Sequence, residues 1–319
     1  MSSANTTINA ESKFAFLLPG QGSQMVGMGK DLYDNSPAAK LVFEEIDDAL
    51  NQPLSNLIFE GPESELTQTC NAQPGIMAVS LAAYKAMEEL LGEKDMPKPT
   101  FVAGHSLGEY TALAITESLD ISSTAKLVQK RGRLMQEACE LQPGTMAAII
   151  GLDEVIVEEI SRQTGTYISN INTDQQAVIS GDIVSVAQAL DMASARGAKR
   201  AMPLKVGGAF HSALMEPARD GLENAVNSVN LQIPNAPIIA NITARPIKTV
   251  KQIKKELVSQ ICECVQWKRS IEYMILLGVT NFIEIGPGNS LHGMLKRIDK
   301  SVGSMSIGNF NSIQGLTLK

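Results

Sequence analysis

Apolar residues along this chain fall into short unbroken runs, separated by stretches in which they recur every three or four positions. That alternation predicts buried strands connected by helices. Phe14-Ala-Phe-Leu-Leu18 is such a run and ends at Pro19. Ala38, Leu41, Val42, Ile46 and Leu50 have helical spacing and predict a helix over 37–50, with 51–60 a connector and Gly61-Pro62 a turn. Ala72 to Leu91 reads as a long apolar helix closed by Gly92. Phe101-Val-Ala then predicts a strand leading into Gly104-His-Ser-Leu-Gly108, with a helix from Glu109 onwards. A further helix is expected over 121–140, capped by Ser122 or Ser123.

The texture changes after Gln142-Pro-Gly144. Strands are expected at 145–150, 167–171, 177–180 and 201–206, and helices at 153–163 and 182–196. That β-α-β-β-α-β order is the ferredoxin-like split unit, and it predicts a small subdomain over 142–206. Beyond Gly207-Gly208 the α/β rhythm returns. Helices are expected at 213–229, 251–265, 267–277 and 289–298, and strands at 238–242 and 281–285. Strands alternating with helices imply a largely parallel sheet. The expected organisation is a large α/β domain over 13–141 and 207–319 carrying the insert, with residues 1–12 as a disordered leader.

A chain of 319 residues with 44% hydrophobic content can hold such a domain and its insert. Aromatics make up only 4%, so the core must rest on aliphatic residues and on 14 methionines. No apolar run reaches the length of a membrane span, and the polar N-terminus lacks the apolar segment of a secretory signal. Both point to the cytoplasm. The four cysteines are scattered apart from a lone Cys262-x-Cys264, and with three histidines they do not make a metal site, so they are expected as buried free thiols. The net charge of −7 argues against nucleic acid as the main partner.

Candidate chemistry centres on Ser106. Strand, tight turn and helix around G-x-S-x-G form the context in which the motif presents a nucleophilic serine. The hydroxyl needs a base. His105 sits beside it but should point away, and His292 falls on an ordinary helix position. His211 lies in a Gly-rich loop after the insert and is the best candidate. Asp153, Asp174 and Asp182 all fall in the insert, where none is aimed at His211. This favours a dyad oriented by a backbone carbonyl over a triad. Gly20-Gln-Gly-Ser-Gln24 fails as a dinucleotide fingerprint, because Met25 stands where the third glycine should be, but such a turn can aim N–H groups at an anion. From spacing alone Arg131 reads as a helix-surface arginine; buried, it could bind a carboxylate bidentately.

Pro19-Gly-Gln-Gly-Ser-Gln24, Gly104-His-Ser-Leu-Gly-Glu109, Gln129-Lys-Arg-Gly132, Ala209-Phe-His-Ser212, Val265-Gln-Trp267 and Glu284-Ile-Gly-Pro-Gly288 occur in this order. Together they closely resemble the malonyl-CoA:acyl-carrier-protein transacylases and the related acyltransferase domains of polyketide synthases. The resemblance implies an α/β-hydrolase-like large domain and malonyl transfer to a carrier-protein thiol, with Ser106 as nucleophile and His211 as base, then acid. It implies Arg131 as partner of the malonyl carboxylate and the N–H groups of Gln21 and Leu107 as oxyanion hole. Gln266 matches the position whose carbonyl orients the histidine, and Asn172, Phe210 and Met135 are expected along the cleft. A bulky Phe210 is the malonyl-like version of its segment, whereas Gly208 departs from the usual polyketide histidine.

No cofactor is expected. The expected partners are coenzyme A thioesters and an acidic acyl carrier protein met by a basic rim (Lys199, Arg200, Lys205, Lys268, Arg269), with neither nucleic acid nor membrane, and the expected state is a monomer. An acyl-thioester hydrolase on the same scaffold, a free-standing polyketide acyltransferase and a non-catalytic carrier-docking protein are the competing readings.

Overall fold

Two sheets organise the protein, whose computed structural model describes residues 13–316. In chain order the strands are β1 (Lys13–Leu18), β2 (Pro99–Gly104), β3 (Thr145–Ile150), β4 (Tyr167–Thr173), β5 (Gln176–Gly181), β6 (Arg200–Pro203), β7 (Ile238–Ile239), β8 (Val279–Ile285) and β9 (Gly303–Ile307). The large sheet has the order β7-β2-β1-β8-β9, with every neighbouring pair parallel. The small sheet has the order β4-β5-β3-β6 and is antiparallel throughout. It is built by a strand–helix–strand–strand–helix–strand sequence in the middle of the chain. The leader expected over residues 1–12 lies outside the described residues.

The unbroken apolar runs have a direct cause. Phe14, Phe16 and Leu18 point to one face of the large sheet and pack with the helices Pro37–Leu50, Thr69–Asp95 and Ile121–Leu141. Ala15 and Leu17 point to the other, against Trp267, Ile271 and Met274 of the helix Trp267–Leu276. A parallel strand covered on both faces has no polar side to show. The small sheet has its own core, where Ala147, Ile149 and Ile179 meet Val157, Ile160 and Val186 of its two helices.

Several expected elements shift, each for a local reason. Asp120, not Ser122 or Ser123, caps the helix Ile121–Leu141, because its extended backbone lets the carboxylate accept from the Ser123 N–H at 2.7 Å. The connector expected at 51–60 contains a helix, Leu54–Glu60, with Leu54 and Ile58 buried. The strand expected over 238–242 shortens to Ile238–Ile239, because it is the short edge of the sheet. β9, with its mixed Gly-Ser-Met-Ser-Ile sequence, carries no strand signal of its own and forms by pairing with β8. The helix expected over 251–265 ends at Ser259.

The C-terminal ends of β1, β2, β7 and β8 deliver their loops to the same edge of the sheet, where open α/β sheets place their sites. The small sheet joins this edge through the exchange of Val265 N–H to Ser169 O at 2.8 Å and Ile171 N–H to Val265 O at 3.0 Å. Among the described residues no helix is long and apolar enough to cross a membrane.

Candidate active site

Ser106 follows β2 at a turn so tight that a Cβ on Gly104 would sit 1.9 Å from the Gly108 carbonyl carbon, and one on Gly108 2.1 Å from Leu18 O. Only glycine fits at either place. Ser106 itself takes φ 52°, a left-handed conformation that costs a non-glycine residue on the order of 1–3 kcal/mol and persists only where the surroundings hold it. They do so from both sides. The Ser106 N–H donates to Asn241 Oδ1 at 2.7 Å, and its carbonyl accepts from Gln260 Nε2 at 2.9 Å.

His211 is also left-handed, with φ 56°, in the buried loop after the small sheet. Its Nε2 lies 2.8 Å from Ser106 Oγ and its Nδ1 2.7 Å from the carbonyl oxygen of Gln260. A carbonyl can only accept, so Nδ1 carries the hydrogen and the bare Nε2 faces the hydroxyl. Burial, reinforced by the positive charge of Arg131, pushes the His211 pKa down to about 3, and the ring is neutral at physiological pH.

The carbonyl assigned to Gln266 is therefore corrected to Gln260. Gln266 starts the next helix, where its carbonyl accepts from Ser270 N–H at 3.0 Å and Ser270 Oγ at 3.1 Å. Gln260 caps the helix Val250–Ser259, and a helix end leaves its last carbonyls without helical partners. A helix running on to 265 would have consumed that carbonyl.

Arg131 is fully buried on the helix Ile121–Leu141. Gly132 lets this helix come close to its neighbour, for a Cβ there would lie 2.8 Å from Cys70 Cα. Nη1 donates to Gln73 Oε1 at 2.5 Å, and Nη2 to Gln260 Oε1 at 2.9 Å and Ser106 Oγ at 3.2 Å. The guanidinium lies 5.1 Å from the Tyr110 ring centre. Burial lowers its pKa, while Tyr110 and Glu109 pull it back up. These hydrogen-bond partners are neutral, and the buried Nε has none among the described residues. A buried cation in this state is costly and suited to an incoming anion.

Gln21 occupies the loop after β1, and Leu107 the start of the helix Gly108–Ile115. Gly22 N–H is taken by Gln24 Oε1 at 2.8 Å and Ser106 N–H by Asn241, whereas the N–H groups of Gln21 and Leu107 find no protein acceptor among the described residues. Phe210 is buried beside His211 with its carbonyl held by Ser169 Oγ at 3.0 Å, and its ring lies beside Gly208, where a Cβ would meet both Phe210 and Cys139. Met135 is buried with its sulfur 3.5 Å from Gln73 Nε2. Asn172 is buried and engaged, its Oδ1 3.1 Å from His105 Nε2, so His105 turns toward the small sheet and away from the hydroxyl.

Asp153 and Asp182 cap helices, and Asp174 pairs with Lys268 at 2.7 Å. No acid among the described residues hydrogen-bonds the His211 ring, whose partners are Ser106 and Gln260. Of the rim cations, Lys268 also meets Glu272 at 3.2 Å and Arg269 meets Glu154 at 2.8 Å, so neither is a free positive charge. Sequence reasoning passed over Gln260, Asn241, Gln73 and the side chain of Glu109. The available signal was a polar residue at an otherwise apolar helix position (Gln73) or inside a motif block (Glu109).

A serine hydroxyl between a neutral imidazole and a buried guanidinium, with two unused N–H groups nearby, can undergo acylation by an anionic acyl donor. The chain matches the family model described as acyl transferase domain over residues 15–308. It is 40% identical over 308 residues to the malonyl CoA-acyl carrier protein transacylase of Bacillus subtilis (strain 168), covering 95% of this chain and 96% of that protein. The crystal structure of the acyl-carrier-protein-S-malonyltransferase from Bartonella henselae superposes with a TM-score of 0.91 at 45% identity, covering 95% of this chain and 97% of that one. A malonyl-transacylase in complex with its type II PKS acyl-carrier protein superposes with a TM-score of 0.91 at 36% identity, covering 96% of this chain and 99% of that one.

Proposed function

Because the chain belongs to the acyl transferase domain family, we infer that it moves malonyl from malonyl-CoA to the phosphopantetheine thiol of an acyl carrier protein, in fatty acid biosynthesis. The observation that carries the reading is Arg131: a fully buried guanidinium with neutral partners, an unpartnered Nε and an Nη2 3.2 Å from Ser106 Oγ. A cation there fits an acyl group that ends in a carboxylate, and a pocket for plain acyl chains has no use for it.

The reaction runs in two half-cycles. His211 Nε2 takes the Ser106 proton while Oγ attacks the malonyl thioester carbon, and the oxyanion is stabilised by the N–H groups of Gln21 and Leu107. The C–S bond breaks, His211 returns the proton to the coenzyme A thiolate, and malonyl-Ser106 remains. The carrier thiol then gives its proton to His211 and attacks the ester carbonyl; the C–O bond to Ser106 breaks, and His211 returns the proton to Ser106 Oγ. Through both steps Gln260 O holds Nδ1–H, a weaker support than a carboxylate but sufficient for an activated thioester. Arg131 keeps the acyl group in a pose suited to the thiol. Phe210, Met135 and Asn172 serve as wall and support. The partner proposal is supported by the similar transacylase seen with its carrier.

The parallel sheet is read as an α/β-hydrolase-like domain over 13–141 and 207–319. The small sheet, with its β4-β5-β3-β6 order, is read as a ferredoxin-like insert over 142–206. The test is to incubate the protein with labelled malonyl-CoA, with and without a phosphopantetheinylated carrier. Label should appear on the Ser106 peptide and then on the carrier. Label reaching water faster than the carrier would overturn transfer in favour of hydrolysis.

A further inference from the structure

One buried ionisable group at the site takes no part in these steps. Glu109 is 1% exposed in the first turn of the helix after Ser106. Its Oε1 accepts from Asn241 N–H at 2.9 Å and Asn241 Nδ2 at 3.2 Å, and its Oε2 from Gln260 Nε2 at 2.5 Å. Every one of these contacts is a donor aimed at the carboxyl group.

The consequence lies one residue further out. An amide side chain has a donor end and an acceptor end, and an acceptor-only partner fixes which way it faces. With its NH₂ end on Glu109 and Gly104 O (2.7 Å), Asn241 must point Oδ1 at the Ser106 N–H. With its NH₂ end on Glu109 and the Ser106 carbonyl, Gln260 must point Oε1 at Arg131 Nη2. The same Gln260 carries the carbonyl that holds His211. Both hydrogen bonds that hold the strained Ser106 peptide thus come from amides oriented by one carboxyl group.

We propose that Glu109 is the positioning residue of this site, doing for Asn241 and Gln260 what the acid of a triad does for its histidine. It acts on Ser106, His211 and Arg131 only through those two amides, and the proposal rests on the acyl-serine mechanism above. Glu256 works the other way. Burial and its charge raise the Glu109 pKa well above the ordinary carboxylate range, while the donors from Asn241 and Gln260 and the charge of Arg131 favour the ionised, acceptor-only form that donors on both oxygens call for. The Glu256 carboxyl accepts from Ile242 N–H at 2.8 Å, next to Asn241, and burial pushes its pKa to about 7.

The test is Glu109→Gln, which keeps the shape but puts an NH₂ group where only donors converge, so that one of the two amides must turn. Acylation of Ser106 is followed by mass spectrometry with malonyl-CoA and separately with acetyl-CoA, on protein whose fold is checked by circular dichroism. The wild-type protein must first become acylated by malonyl-CoA; if it does not, the transfer reading fails rather than this one. Glu109→Gln should lower kcat between about 10- and 100-fold for both donors with KM changed by less than about threefold, as outer partners of reacting groups do when removed. Glu109→Asp, still acceptor-only, should recover part of the loss. A loss confined to malonyl-CoA, or one seen only in KM, would overturn the proposal, as would wild-type kcat in Glu109→Gln. Should Glu109→Gln fail to fold, Glu109→Asp decides: a kcat lowered for both donors supports the proposal, and wild-type kcat ends it.

Discussion

The large parallel sheet is covered on both faces and sends loop after loop from its strand ends to one point, whereas the small antiparallel sheet packs one face on its own two helices. The other face of the small sheet, through Met146 and Val178, joins the core of the large one. The difference shows in what each contributes. Ser106, Arg131 and Gln260 sit on or beside elements that flank the large sheet, and His211 arrives on the loop that returns from the small one. From the small sheet come Ser169, which holds the Phe210 carbonyl next to His211, and Asn172, which holds His105 next to Ser106. On the proposed mechanism the nucleophile and the cation come from elements flanking the parallel sheet, the base comes from the loop between the two sheets, and the antiparallel sheet braces their neighbours.

The sharpest way to break that division is to remove the reacting groups. Ser106→Ala should abolish the malonyl-enzyme and lower transfer by about 10⁴-fold or more, with His211→Ala close behind and the double variant little worse than either, since the two act as a unit. Residual acylation of Ser106→Ala at another residue, found by peptide mapping, would move the nucleophile elsewhere.

Arg131 comes next. Two charge-assisted hydrogen bonds to a carboxylate, at about 1.5–3 kcal/mol each, imply a loss of roughly 100-fold or more in malonyl kcat/KM for Arg131→Ala. Acetyl transfer should hold or rise. Equal losses for both donors would mean that the guanidinium supports the fold rather than the substrate.

How far these roles could be read in advance differs between the two kinds of group. Ser106 was legible because a nucleophile elbow imposes glycines at fixed spacing, and His211 because few histidines competed for the role. Arg131 was not legible from spacing: a helix arginine reads as a surface charge until its helix is known to be buried on that face. Gln260 was the instructive miss. Its carbonyl is available only because the helix stops at Ser259, and helix ends are the least certain feature of any pattern of apolar positions. Glu109 stood in view inside a motif block, but its donors are Asn241 and Gln260, more than a hundred residues away in the chain. Contacts of that kind have no local signal.

A third test reads the electrostatics of the large-sheet site. The His211 pKa is depressed to about 3 by burial and then by Arg131. The acid limb of kcat/KM, measured with acetyl-CoA, reports the free enzyme and should fall far below the ordinary histidine value of about 6.5. Replacing Arg131 with Gln removes a positive neighbour, favours the imidazolium and should move the limb to higher pH. The same shift bears on stability. The unfolded chain binds a proton at His211 that the folded one refuses, so this contribution is present above about pH 6.5 and is lost as pH falls toward about 3. Denaturant titrations across that range should show a flatter pH dependence for His211→Gln than for the wild type. An acid limb near pH 6.5 would mean that the ring is open to solvent.

The mildest change tests the bracing role itself. Ser169→Ala removes one neutral hydrogen bond to the Phe210 carbonyl, together with the Ser180 hydroxyl contact at 2.6 Å. A neutral bond contributes about 0.5–1.5 kcal/mol. If the small sheet only supports, that energy should appear mainly in thermal stability, with kcat lowered by no more than about threefold, because His211 keeps both its Ser106 and Gln260 contacts. A kcat loss as large as that of Arg131→Ala, at unchanged stability, would show that the antiparallel sheet sets the placement of the base directly. The division of labour between the two sheets would then have to be redrawn around the Ala209–Ser212 loop.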